Sequence, residues 1–227
     1  LGVLRWQFDW DWNAADREFN RAIALAPSYS CAHEDRAIFL AVTGRRAEAL
    51  AEIAKIDQLD YSFSAAMTES DTYYQLRDYP DLIKSNKRWL LLDPKDSYQH
   101  RALGIGYEGT GKLQEAISEY QQAIAISGDS KSVVALAHAL RAVGKKAEAE
   151  TTLRDLEHKA KESSASPYTM ATIYAGLNEN EKAFEFLEKA YSEKSLDLTS
   201  SIKSDMLLDG LRSDPRFRDL LRRMGLN

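Results

Sequence analysis

The chain has 227 residues, 44% hydrophobic and 29% charged, so it can bury a core and is no disordered segment. Its formal net charge of −5 argues against a general nucleic-acid binder, and its single cysteine, Cys31, rules out an intramolecular disulfide. Its apolar runs fall well short of the roughly 20 residues that cross a bilayer, so no membrane insertion is expected.

No apolar leader is visible at the N-terminus, and the chain reads as a piece of something longer. Asp9 to Asp11 read as a turn. Ala15, Phe19 and Ala22 then share one helical face, and Pro27 stops the helix. Ala37, Leu40, Gly44, Ala49, Ile53 and Ile56 repeat the pattern, with Tyr61 where a proline would close it. The next stretch diverges. Ser70 and Tyr73 precede Leu82, Asn86 and Trp89, and Asn86 stands where an aromatic side chain belongs. Leu103, Gly104, Tyr107, Gly111, Ala116, Tyr120 and Ala123 give the clearest copy. Ala137, Leu140, Gly144, Ala149 and Leu153 follow. A last copy starts near Ser164, with Ala171, Tyr174, Ala183, Leu187 and Ala190.

The small residue of each second helix falls at Ala15, Ala49, Leu82, Ala116, Ala149 and Ala183, with gaps of 34, 33, 34, 33 and 34 residues. A period of this size marks stacked helix pairs, in which small residues let helices approach and large ones fill the space beside them. The positions and residue types resemble the tetratricopeptide repeat. That resemblance implies an all-α, right-handed superhelical α-solenoid of about six helix pairs, the first truncated, so that Trp6, Trp10 and Trp12 cover an open end. The expected units are about 1–28, 30–61, 63–94, 97–128, 130–161 and 164–195, with a capping segment over 196–227.

In that segment, Ser213, Asp214 and Pro215 predict a helix start at about 214 and Gly225 its end near 224. Phe217, Leu220, Leu221 and Met224 form an apolar stripe, with Arg216, Arg218, Arg222 and Arg223 on the other face. This suits a cap on the array. The phrase LRSDPRFRDLLRRMGL also resembles the end of large bacterial regulators that join a winged-helix or kinase domain to such an array. On that resemblance the chain is a sensor or docking arm in the cytoplasm, or a periplasmic arm behind a membrane anchor.

No enzyme is expected. Gly104 to Gly109 match G-x-G-x-x-G, but no strand precedes them and repeat packing explains Gly104 and Tyr107. His33, His100, His138 and His158 make no metal-binding spacing, so neither metal nor cofactor is expected. In the tetratricopeptide family the first helices line a concave groove that takes peptides. The register places Asp71, Tyr74, Tyr98, Arg101, Glu108, His138, Arg141 and Tyr168 there. Tyrosines offer rigid contact area and arginines pair with carboxylates, so the expected partner is a protein or peptide carrying an acidic group. Ile105 and His138 stand where the family's carboxylate-clamping members have asparagine, so that activity is not carried over. The alternative is an architectural or self-associating array whose contact is the Trp-rich N-terminal end.

Overall fold

The computed structural model describes residues 1–59, 62–162 and 165–226, apart from the Phe63 side chain. Tyr61 and the expected start at Ser164 lie outside them. A short helix α1, Gly2–Leu4, runs into a π-helical turn, Arg5–Asp9. Helix α2, Trp12–Leu25, follows. Five antiparallel pairs come next: α3 Ser30–Val42 with α4 Arg46–Leu59, α5 Phe63–Gln75 with α6 Tyr79–Leu90, and α7 Ser97–Gly109 with α8 Leu113–Ser127. Then come α9 Ser130–Ala142 with α10 Lys146–Glu162, and α11 Pro167–Gly176 with α12 Asn180–Ser192. The chain ends with α13 Leu196–Ser201, a 3-10 turn Met206–Leu211 and α14 Pro215–Arg223. No strand occurs among the described residues. The fold is an all-α solenoid.

Helices α2, α5, α7, α9, α11 and α14 start where a side chain satisfies a free N–H group. Asp11, Ser62, Asp96, Asp129, Ser166 and Asp214 each accept from a backbone N–H two or three residues ahead. Pro80, Pro167 and Pro215 occupy first turns, where a missing N–H costs little.

The link from the π-helical turn to α2 and the link within each of the five pairs each turn on one left-handed residue. These are Trp10, Gly44, Arg77, Gly111, Gly144 and Asn178. Each stands five residues before the small residue of the following helix, since 15 − 10, 49 − 44, 82 − 77, 116 − 111, 149 − 144 and 183 − 178 all equal 5. At Gly111 (φ 77°) the next N–H, of Lys112, reaches back to the Tyr107 carbonyl at 2.8 Å. This closes the helix end in a Schellman turn. Gly44 and Gly144 do the same. Glycine enters this conformation freely, whereas other L-residues lose roughly 1–2 kcal/mol there.

The residues that mark the 33–34-residue period are all core residues. Ala15, Ala49, Leu82, Ala116 and Ala183 are fully buried, and Ala149 nearly so. At the pair α7 and α8 the fit is tightest: a Cβ added at Gly104 would lie 2.5 Å from Cε1 of the buried Tyr120. Asn86, where an aromatic ring was expected, is buried too. Its amide donates to Ser70 Oγ at 3.1 Å and to the Leu82 carbonyl at 2.8 Å. A buried polar pair thus replaces ring packing between α5 and α6.

The N-terminal end is not open. Trp6 is buried, and a continuous core runs from it through α2 and α3 and from α9 to Leu226. Trp10 stacks on Tyr191 at 4.8 Å, and its indole N–H donates to Thr199 Oγ1 at 3.0 Å. The Trp12 indole N–H donates to the Met224 carbonyl at 2.7 Å. Lys194 Nζ donates to the Phe8 carbonyl at 2.5 Å. The chain's two ends therefore meet. The arginines of α14 are not simply solvated: Arg216 bonds Glu181 and lies 4.0 Å from the centre of the Phe184 ring, and Arg223 pairs with Glu188.

Gly104→Ala adds the methyl group that Tyr120 leaves no room for. Overpacking of this kind costs about 1–3 kcal/mol, against about 1 kcal/mol gained from the helix preference of alanine. Urea unfolding is expected to show a net loss of stability, and a variant more stable than the parent would contradict the contact.

Candidate functional site: the concave face and the segment across it

The inner helices α3, α5, α7, α9 and α11 supply the concave face, and the C-terminal segment lies across it. Three acidic side chains of the segment fasten it. Lys131 Nζ meets Asp197 Oδ1 at 2.8 Å, and the Tyr168 hydroxyl donates to Asp205 Oδ2 at 2.8 Å. The Arg77 guanidinium forms a two-pronged pair with Asp209 at 2.5 and 3.1 Å, and its Nε donates to the Ser204 carbonyl at 3.1 Å. Gln75 adds two bonds, donating to the Ser200 carbonyl at 2.5 Å and accepting from Ser204 Oγ at 2.8 Å. Planar arginine forks of this kind hold carboxylates with both strength and direction.

A cavity of about 200 Å³ remains between the face and the segment. Asp71, Tyr74, Tyr98, Arg101, Glu108 and Tyr168 all line it, together with Asp197, Ser200 and Asp205 from the segment. Two other residues predicted for the groove do not reach it. His138 stands behind Glu108, with Nδ1 2.6 Å from Oε1. Arg141 is held at the turn between α11 and α12, where it donates to the Gly176 carbonyl. With its amide oxygen turned toward the guanidinium, Asn178 accepts from Arg141 at 2.7 Å. Arg141 thus ties α9 to α11 and faces no ligand space.

Burial dominates the electrostatics of the cavity. It raises the Asp71 and Asp205 carboxyls above the ordinary range, although the tyrosine hydroxyl donated to each pulls the other way. It holds the phenols of Tyr74, Tyr98, Tyr120 and Tyr168 protonated, well above their usual value. Glu108 accepts from Tyr120 at 2.7 Å as well as facing His138. Arg101 lies over the Tyr98 ring, 5.2 Å from its centre, and makes no hydrogen bond or ion pair among the described residues.

No group of three or more His, Cys, Asp or Glu side chains could hold a metal ion among the described residues. No described helix is long and apolar enough to cross a membrane. Arg77 and the three acids of the segment are not among the groove residues expected from the sequence. A signal for Arg77 was present: it fills the left-handed turn position that Gly44, Gly111 and Gly144 fill elsewhere, and a costly residue there points to a job for its side chain.

No family model and no curated protein matches the chain. Solved structures do. The crystal structure of MamA shares 18% identity over 68% of this chain and 91% of its own, with a TM-score of 0.56. A tetratricopeptide repeat protein from Parabacteroides merdae shares 13% identity over 98% of this chain and 91% of its own, with a TM-score of 0.57. At such identities the likeness is one of fold, and the fold is the tetratricopeptide-type solenoid.

The pair of His138 and Glu108 makes stability depend on pH. Burial works against a charged His138, but the hydrogen bond and charge of Glu108 outweigh it and hold the imidazole above its usual 6.5. The stabilisation is therefore complete below about 6.5 and is lost as pH rises through the raised value. An NMR titration of His138 is expected to give a value above 6.5 in the parent and a lower one in Glu108→Gln. Equal values in the two proteins would contradict the coupling.

Proposed function

We propose that this chain is a non-catalytic interaction scaffold. Its concave face recognises acidic side chains on a peptide or protein segment laid along it. One observation carries this reading: the face already holds such a segment, residues 197–209, by Lys131 with Asp197, Tyr168 with Asp205 and Arg77 with Asp209. A partner engages the same cationic and phenolic groups in place of the chain's own segment.

The chain serves as the sensor or docking arm of a larger regulator, as the resemblance of its C-terminal phrase suggests. The cytoplasm is the proposed compartment, where the exposed free thiol of Cys31 stays reduced. Self-association through the N-terminal tryptophans has less to support it, because Trp6 is buried and Trp10 is stacked on Tyr191 within the chain.

The test is capture from the lysate of the source cell by the parent chain and by the double reversal Arg77→Glu with Lys131→Glu. The expected result is a protein held by the parent and lost by the variant. Equal recovery by both, or no capture by the parent, would contradict the reading.

A further inference from the structure

The cavity under the segment contains two charges of opposite sign, Arg101 and Asp71, that attract each other but do not pair directly. Among its acids, Asp197 is taken by Lys131, Asp205 by Tyr168 and the Leu207 N–H, and Glu108 by Tyr120 and His138. Lys131 is taken by Asp197. Two groups remain. Arg101 carries five N–H donors and makes no hydrogen bond or ion pair among the described residues. Asp71 accepts only the Tyr98 hydroxyl among the described residues, through Oδ1. Burial raises its carboxyl, against the pull of the Tyr98 hydroxyl and of the Arg101 and Lys131 charges.

The same ring relates the two: Arg101 lies over the face of Tyr98, and Asp71 sits at its hydroxyl. Arg101 and Asp71 nevertheless form no direct ion pair. The lining also offers apolar side chains, Ile38, Ile105 and Leu207 among them. A single anion would satisfy Arg101 and leave Asp71 bare beside it. A single cation would do the reverse. A molecule with one charge of each sign and a short apolar branch satisfies both groups at once.

We propose that this cavity is a binding site for a free α-amino acid with a small aliphatic side chain. Its carboxylate lies on Arg101, its ammonium on Asp71 and its side chain against Ile38, Ile105 and Leu207. The size agrees. A dry cavity of roughly 150 Å³ holds benzene, with six heavy atoms, so 200 Å³ takes about eight, the number in valine. The ligand touches the concave face on one side and Leu207 of the segment on the other, so it binds the chain with the segment seated and favours that state. The inference goes beyond the scaffold reading, and its test involves no partner protein.

Isothermal titration of the whole chain with L-valine and L-leucine tests it, beside two analogues that each lack one charge. Isobutylamine lacks the carboxylate of valine, and 3-methylbutanoate lacks its ammonium. One-site binding of an amino acid is expected, with both analogues at least tenfold weaker. Arg101→Gln and Asp71→Asn are each expected to weaken binding at least tenfold. If either variant fails to fold, the analogue series on the parent decides alone. The proposal is overturned if neither amino acid binds, if an analogue binds as tightly as its parent amino acid, or if folded variants bind as the parent does.

Discussion

The close approach of two helices across a small, buried residue is the constraint on which everything else rests. Ala15, Ala49, Ala116, Ala149 and Ala183 sit at these contacts, each at most 2% exposed, and the larger Leu82 takes the equivalent place in the α5–α6 pair. A longer side chain there would push the helices apart, because protein interiors are packed to crystal-like density and have no slack. The repeated contact fixes how each pair stacks on the next. Stacking in turn aligns α3, α5, α7, α9 and α11 along one face, so the placement of Asp71, Arg101 and Tyr168 around one cavity follows from alanines elsewhere.

The turns join this packing to the site. Six left-handed residues recur five positions before the small ones, and three of them are glycines that enter the conformation without strain. The other three are Trp10, Arg77 and Asn178, and a fourth left-handed non-glycine residue, Lys194, follows α12. Each has a side chain at work. Trp10 bonds Thr199, Arg77 grips Asp209, Asn178 takes Arg141, and Lys194 reaches the Phe8 carbonyl. Backbone cost at these turns is offset by contacts that seat the C-terminal segment, join the chain's two ends or tie α9 to the α11–α12 turn.

The fold class was legible because its signal is periodic. A small residue every 33 or 34 positions, with large apolar partners at helical spacing, admits few other arrangements. The helix starts were legible at Asp214 and Pro215 for a local reason, a capping side chain before a proline. The segment over residues 196–211 was not legible. It has no period, and its acids look in sequence like any solvated carboxylates. Their partners lie up to 132 residues away, as for Arg77 with Asp209. Arg141 shows the same limit in reverse. Its register points to the concave face, but it sits in the last turn of α9, where the α11–α12 turn intervenes and supplies two acceptors. Asn86 stands out in the sequence as an irregularity, and only the position of Ser70 on the facing helix reveals how its amide is satisfied.

The central claim is that residues 196–211 lie on the concave face as part of the folded chain. Hydrogen exchange read peptide by peptide tests it most directly, since amides in a seated segment exchange through opening and those in a free segment exchange at once. Amides over 198–211 are expected to be protected in the parent and selectively exposed when Arg77 and Lys131 are both reversed in charge, with α11 unchanged. Exchange of this segment in the parent at the rate of an unstructured peptide would contradict it.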